Sequence, residues 1–295
     1  MAAESRDPST GAVSGAALRD AALRDAARPR PAVKRKPSPA PTLRHERALS
    51  AEGARFVIGC DEVGRGAIAG PVAVGLCVVD ISKRVPKGLR DSKLLSEPKR
   101  VELQPVVERW ALWSSVGMAS NQEIDAIGLT AALGLAAVRA LDALCESGFD
   151  CTESVLLLDG KFDYFTPSAR VAGVETVPRV ATKIKADMTC ASVSGASVLA
   201  KVARDSLMID LHERHPDYGW VSNKGYGSSA HWAAIDSRGA SPLHRHTWLR
   251  TPSLFDDILD VEIDDEASGA GEITDETPSD SVALRGTPAD VGLQR

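Results

Sequence analysis

The sequence predicts an α/β domain built on a mixed sheet. Three observations point there. Two apolar, β-branched segments follow one another across a gap of about ten residues, which suits strands that pair. Longer stretches with apolar residues spaced three and four apart come after them, as helices require. The apolar runs close on acids beside glycines, where a chain turns at a strand end.

The elements follow in order. Arg55 to Cys60 reads as a buried strand running into Asp61-Glu62, and Gly64 and Gly66 stop it. Pro71 to Val79 is a second strand, and the short connection makes it an antiparallel neighbour. Trp110 to Met118 is a third. Ser96-Glu97-Pro98 marks a helix start, with Ser as cap and Pro in the first turn. Pro105 is expected to bend or end that helix. Asn121 to Cys145 reads as helical, with Val138, Leu141, Leu144 and Cys145 at spacings of three and four. Ser154 to Leu158 is a short apolar strand ending at Asp159-Gly160. After a loop around Pro167, Val171 to Val180 reads as a further strand. Cys190 to His212 carries the clearest helix, with Leu199, Ala203, Leu207 and Leu211 each four residues apart. A last helix begins near Ser228 and stops before Gly239. Strands first and alternation afterwards give α/β with a mixed sheet.

Composition narrows the class. With 43% apolar and 25% charged residues among 295, the chain is that of a soluble globular protein. Its central apolar stretch, Leu129 to Val138, falls far short of the roughly 20 residues that span a bilayer. Acids stand near the start where a secretory signal would be apolar, so no signal peptide is expected. The five cysteines are odd in number and form no Cys-x-x-Cys pair. That argues against a disulfide framework or structural zinc and for buried reduced thiols in a cytoplasmic protein.

The net charge of −5 hides an asymmetry. Residues 1–48 carry ten Lys/Arg against five Asp/Glu, and residues 256–295 carry two against twelve. The first stretch reads as a disordered, basic, Pro-rich tail and the last as a disordered acidic tail. Residues 49–255, formally neutral, read as one domain.

The chemistry-bearing residues are acids at strand ends. Asp61-Glu62 follows one apolar strand, Asp159-Gly160 another, and Asp187 lies between a strand and the long helix. In α/β sheets such ends converge on a site. Carboxylates gathered there repel one another unless hard divalent cations occupy the cluster, and oxygen ligands without Cys or His favour Mg²⁺ or Mn²⁺. One objection stands: neighbours in a regular strand point to opposite faces, so Asp61 and Glu62 should not share an ion. The turn at Val63-Gly64-Arg65-Gly66 weakens it, since the strand is expected to end there, and a backbone carbonyl is another possible ligand. Taken singly, each acid is as readily a turn or helix-start residue, and Asp80, Asp91, Asp125 and Asp163 have equal claims on composition.

The segment Gly59-Cys60-Asp61-Glu62-Val63-Gly64-Arg65-Gly66-Ala67-Ile68-Ala69-Gly70-Pro71 resembles the signature of the type 2 ribonucleases H. The likeness continues through Asp91-Ser92-Lys93, Leu158-Asp159-Gly160, Lys185-Ala186-Asp187 and Ala196 to Asp205. It ends with Lys224-Gly225-Tyr226-Gly227, His231 and Pro242 to Trp248, in the family's order over nearly all of 55–250. The sequence is thereby similar to bacterial ribonuclease HII. The resemblance implies a ribonuclease H-like mixed sheet flanked by helices, with a small C-terminal helical part. It implies an endoribonuclease that cuts the RNA strand of RNA–DNA hybrids and cuts 5′ of single ribonucleotides in duplex DNA, leaving 3′-hydroxyl and 5′-phosphate ends. Asp61, Glu62, Asp159 and Asp187 match the four active-site acids, which would hold two Mg²⁺ or Mn²⁺ ions. Gly64-Arg65-Gly66 matches the loop that reads the 2′-hydroxyl, and Tyr226 the tyrosine near the same hydroxyl. Ser92, Lys93 and Lys185 are implied phosphate contacts.

The departures are small for small: Ala186, Ser228 and Ser192-Val193-Ser194-Gly195 stand where the family often has Gly, Thr and an Ala-rich stretch. Positive charge is expected to be local to the cleft, at Arg65, Lys93, Lys185, Lys224 and Arg245. A monomer without membrane association is expected. The rivals are a type HIII enzyme, for which residues 1–48 look too short to supply a substrate-binding domain, and a silent hybrid-binding protein, against which the four acids argue.

Overall fold

In the computed structural model, which describes residues 39–249, β2 (Val72–Val79) is buried along its whole length. A strand covered on both faces needs this unbroken apolar run. β1 (Phe56–Val63) pairs with it antiparallel, Ile58 opposite Val78 and Val63 opposite Ala73. β3 (Ala111–Ala119) is antiparallel on the other side of β2. β4 (Ser154–Asp159) lies parallel to β1, and β5 (Arg179–Lys183) parallel to β4 at the edge. The order is β3-β2-β1-β4-β5, a mixed sheet as expected.

Helices cover both faces. α1 (Arg44–Ala51), α2 (Glu97–Trp110) and the short α6 (Ala186–Thr189) accompany the long α7 (Ala191–Arg214) on one side. α3 (Asn121–Ile127), α4 (Leu129–Glu146) and α5 (Phe165–Val171) cover the other, where Leu133, Leu141, Leu144 and Phe165 meet Ile58, Cys60 and Leu156. Small residues let α7 lie close to the sheet. A Cβ on Gly59 would come within 2.2 Å of the Ser192 carbonyl carbon, and one on Gly75 within 2.3 Å of the Ala196 oxygen. The unusual Ser192-to-Gly195 stretch is this contact surface. After α7 come α8 (Trp220–Asn223) and α9 (Ser229–Arg238), the small C-terminal helical part, packed around Trp220, Met208 and Leu211.

Several sequence expectations need correction. Pro105 does not end α2, which runs on to Trp110. Pro105 and Val101 lie on the exposed face, so the carbonyl that the proline leaves without an N–H partner faces water. The helix from Asn121 is two, parted at Gly128, whose φ of +80° leaves the helical region. Pro167 lies in the first turn of α5, where a missing N–H costs nothing. The strand expected over 171–180 is displaced to 179–183. Cys145 is exposed, while the other four cysteines are buried, and all five are free thiols.

The domain also begins before residue 49. Thr42 bridges to Cys190, and Leu43 is 2% exposed. Glu46 is fully buried, and its Oε1 accepts from the Ser192 N–H at 2.9 Å and the Ser192 hydroxyl at 2.8 Å. A carboxylate from α1 thus satisfies a free N–H in the first turn of α7, where negative charge meets the positive end of the helix dipole. Of the tails expected over 1–48 and 256–295, residues 1–38 and the whole of 256–295 lie outside the described residues.

Glu46→Ala is expected to cost about 1–2 kcal/mol, by leaving the Ser192 N–H buried without an acceptor. Urea unfolding of the full chain checks this. A midpoint equal to that of the parent would remove Glu46 from the folded unit's essential contacts.

Candidate active site

Strand pairing brings the first acids together. β1 and β4 run parallel with Cys60 opposite Leu158, so Asp61 and Asp159 come next along neighbouring strands, at one edge of the sheet. That edge is the C-terminal one, where α/β proteins build sites. Asp159 Oδ1 accepts from the Ala186 N–H at 2.7 Å and so ties the end of β4 to α6. α6 carries Asp187, 5% exposed, and Lys93 Nζ reaches Asp187 Oδ2 at 3.3 Å.

The objection about adjacent acids meets a definite geometry. β1 does not end before Glu62; it stays paired through Val63. The two side chains therefore diverge. Asp61, 2% exposed, faces α7, while Glu62 faces the other way and meets the Tyr164 hydroxyl at 3.2 Å. As the side chains stand, no group of three or more His, Cys, Asp or Glu among the described residues is placed to hold one metal ion.

The charges nevertheless feel one another. Burial, then the charge of Glu62, pushes the Asp61 carboxyl well above the ordinary range, with Ser197 and Lys93 pulling back. Burial raises Glu62, against the pull of Tyr164 and Arg65. Burial and then Asp187 raise Asp159. Lys93 offsets these, since its ammonium is held by the charges of Asp61, Asp91 and Asp187. The residues fit a divalent cation in chemistry: the donors are acceptor-only carboxylate oxygens, and Asp61 Oδ2 is buried with no hydrogen-bond partner.

Asp91 and Tyr164 are the members that sequence reasoning missed or left among equals. Asp91 is 5% exposed, accepts from the Lys93 N–H at 3.0 Å and repels Asp187. Its place inside the Asp-Ser-Lys motif was the available signal. Nothing in the spacing marks Tyr164.

The loop after β1 is built by buried cations. Gly64 has φ +84°, and a Cβ there would lie 2.0 Å from Arg204 Nε. Arg245, fully buried, donates to the carbonyls of Gly64 (2.7 Å), Arg65 (3.0 Å), Gly70 (3.1 Å) and Pro71 (3.1 Å). Gly66 is different: nothing lies within 4 Å of a Cβ built there, so its backbone is open to an approaching molecule. Ala67 bridges to Tyr226, which brings that ring, 37% exposed, to the same loop.

Three charge and contact expectations change. Arg245 and Lys224 are not cleft-surface cations; Arg245 clamps the loop, and Lys224, 7% exposed, bonds Glu97 and the Val221 carbonyl. Ser92 is 1% exposed, its hydroxyl taken by Ser197 at 2.8 Å, and so is not presented to a phosphate. Lys185 and Arg65 are exposed, and Lys93 reaches into the acids from a largely exposed position.

Tyr226 is held from below by neutral histidines. His231 Nδ1 donates to the Tyr226 carbonyl at 2.9 Å, leaving Nε2 to accept from Trp220 (3.1 Å) and from His244 (3.0 Å). His244 Nδ1 in turn accepts from the Ser241 N–H at 2.9 Å.

A mixed sheet of this order, with carboxylates along the C-terminal edge of its parallel strands and an open glycine loop beside them, defines a ribonuclease H-like enzyme. Solved structures agree on the fold. The ribonuclease HII of Archaeoglobus fulgidus, solved with PCNA, matches with TM-score 0.51 at 24% identity, over 68% of this chain and 99% of that one. A mutant of Bst ribonuclease HIII matches at 0.51 and 23%, over 77% and 75%. Sequence goes further. The ribonuclease HII of Streptomyces avermitilis is 44% identical over 219 residues, 74% of this chain and 88% of the relative. That of Streptomyces griseus is 46% identical over 222 residues, with the same coverage. The ribonuclease HII profile matches residues 58–251. The chain belongs to the ribonuclease HII family, and it is a ribonuclease.

Acid should loosen the support under Tyr226. Burial lowers His231 below its ordinary 6.5 and, with the nearby His231 charge, lowers His244 to about 4. The unfolded chain then binds protons first as pH falls. Stability from this cluster is complete above about pH 6.5 and is lost progressively toward about pH 4. Denaturant unfolding across that window is expected to show the loss, and His244→Gln to flatten it. An unchanged slope in the variant would assign the loss to other groups.

Proposed function

We propose that this protein is a divalent-metal-dependent endonuclease that cuts the RNA strand of RNA–DNA hybrids and cuts 5′ of single ribonucleotides in duplex DNA. The observation that carries the reading is that parallel pairing of β1 with β4 sets Asp61 and Asp159 on neighbouring strand ends, with Glu62 next to Asp61 and Asp187 tied to Asp159 through α6, beside the open Gly64-Arg65-Gly66 loop. These four carboxylates would hold Mg²⁺ or Mn²⁺. When bound, two such ions supply Lewis-acid chemistry to the attacking water and to the leaving 3′ oxygen. Asp61, with its unpartnered Oδ2, is the most buried ligand and anchors the set. Asp159 is oriented by backbone N–H groups at the start of α6, that of Ala186 first among them.

Substrate reading belongs to the backbone. Gly66, with no side chain and no neighbour above it, lets a sugar come close enough for amides and carbonyls to meet a 2′-hydroxyl. Tyr226 stands beside it, with Lys201 and Arg204 at 5.7 and 5.6 Å from its ring, and would pack on the next deoxyribose. That pairing of a ribose reader with a deoxyribose platform supports recognition of an RNA-to-DNA junction. Lys93 and Lys185 would meet phosphates. The products are 3′-hydroxyl and 5′-phosphate ends. The role is ribonucleotide removal in DNA replication and repair, by a cytoplasmic monomer. No helix among the described residues is long and apolar enough to cross a membrane.

Cleavage of a duplex carrying one ribonucleotide, with Mn²⁺ or Mg²⁺, tests the reading directly. Asp61→Asn and Asp159→Asn are expected to fold and to lose cleavage by about 10³-fold or more. Activity retained in both defeats the carboxylate assignment. Tyr226→Ala is expected to slow cutting at the lone ribonucleotide about tenfold more than cutting of a long hybrid, a loss of about 1.4 kcal/mol of packing on the deoxyribose. Equal losses on the two substrates would remove the junction-sensing role.

A further inference from the structure

We propose that Tyr164 is a positioning residue that fixes the carboxylate of Glu62 for the divalent cation, through its buried hydroxyl. The inference rests on the metal reading above.

Two side chains hold the carboxylate of Glu62. Glu62 projects from the face of β1 away from Asp61, and the side chain of Arg65 and that of Tyr164 reach its carboxylate. The Arg65 contact is long, 3.4 Å, and made by a side chain 60% exposed. An ion pair of that kind holds a carboxylate poorly, and Arg65 is free to turn toward a substrate. Tyr164 differs on each count. It is 6% exposed and part of the same core cluster as Cys60, Leu133 and Phe165. Its hydroxyl lies 3.2 Å from Glu62 Oε2 and 3.8 Å from Cys60 Sγ. A carboxylate only accepts, so the tyrosine O–H donates to Glu62 and the Cys60 thiol is left to donate to the tyrosine oxygen.

The ring is itself held. Asp163 Oδ1 accepts from the N–H groups of Phe165 (3.0 Å) and Thr166 (2.9 Å), which fixes the start of α5 directly after Tyr164. α4 and α5 touch at Gly134, where a Cβ would lie 1.8 Å from Ser168 Oγ and 2.5 Å from the Tyr164 carbonyl oxygen. The helix contact on the far side of the sheet therefore sets where the hydroxyl sits. An outer partner of this kind orients a ligating carboxylate, and its loss typically weakens metal affinity about 10- to 100-fold.

The test is Mn²⁺ titration of the full chain without substrate, with free ion followed by electron paramagnetic resonance. Tyr164→Phe keeps the ring and removes only the donor. It is expected to weaken Mn²⁺ binding about tenfold while the metal-free melting temperature stays within a few degrees of the parent. Glu62→Gln and the double variant complete a cycle, in which Tyr164→Phe should have no further effect once Glu62 is Gln. Parent-like binding by Tyr164→Phe overturns the inference, and so does a full additive loss in the double variant. If the parent binds no Mn²⁺, the metal reading itself falls. If the parent binds and Asp61→Asn does not, with Tyr164→Phe unaffected, only the positioning role falls.

Discussion

Bringing carboxylates together at the edge of a sheet is the constraint on which the rest of this structure depends. Parallel pairing of β1 with β4 puts Asp61 and Asp159 side by side, and the bond from Ala186 to Asp159 adds Asp187. Each is partly or wholly out of water, and each raises the cost of charging its neighbour. The protein meets that cost in pieces. Backbone N–H groups of α6 serve Asp159, Lys93 serves Asp187, and Tyr164 and Arg65 serve Glu62. Asp61 Oδ2 is left without a partner.

The same logic explains where the buried positive charge goes. Arg204 and Arg245 lie fully buried, and both spend their guanidinium N–H groups on backbone carbonyls around the Gly64 loop. A guanidinium offers five donors in a rigid plane, so one side chain can gather several carbonyls that point inward from a tight turn. The loop thus has its carbonyls tied inward, while Gly66 remains open on the outer side. A neutral domain can still act on a polyanion in this way, because the cations that shape the loop need not be the cations that touch phosphate.

Much of the fold was legible because burial on two faces leaves a simple trace. β1, β2 and β4 read as apolar runs, and the acids that close β1 and β4 fall at one edge of the sheet. β5 escaped because Arg-Val-Ala-Thr-Lys is a half-exposed edge strand with no such run. α5 escaped because Pro167 reads as a loop unless Asp163 is known to cap the turn before it. Glu46 falls in a stretch that reads as a tail, since a carboxylate among Arg, Pro and Ser looks solvated; its partner lies 146 residues away in Ser192. The nearness of Asp61 and Asp159 was legible through their motifs, but the placement of the cations was not. Whether an arginine faces water or a set of carbonyls is decided by tertiary contact, which residue type does not encode.

Tyr164 shows the limit from the other side. Its neighbours in sequence, Asp163 and Phe165, serve a helix cap and a core, and no motif runs through it. What distinguishes it is a consequence of strand periodicity. Because β1 stays regular through Val63, Glu62 must face away from Asp61, into the layer under α4 and α5. A carboxylate sent there needs a donor in that layer, and a side chain with a large hydrophobic body and a polar tip supplies one without a charge and without breaking the apolar packing. Tyrosine at the entry to α5 meets that requirement. The rule that separates the two adjacent acids is therefore also the rule that calls for the hydroxyl beneath the second of them.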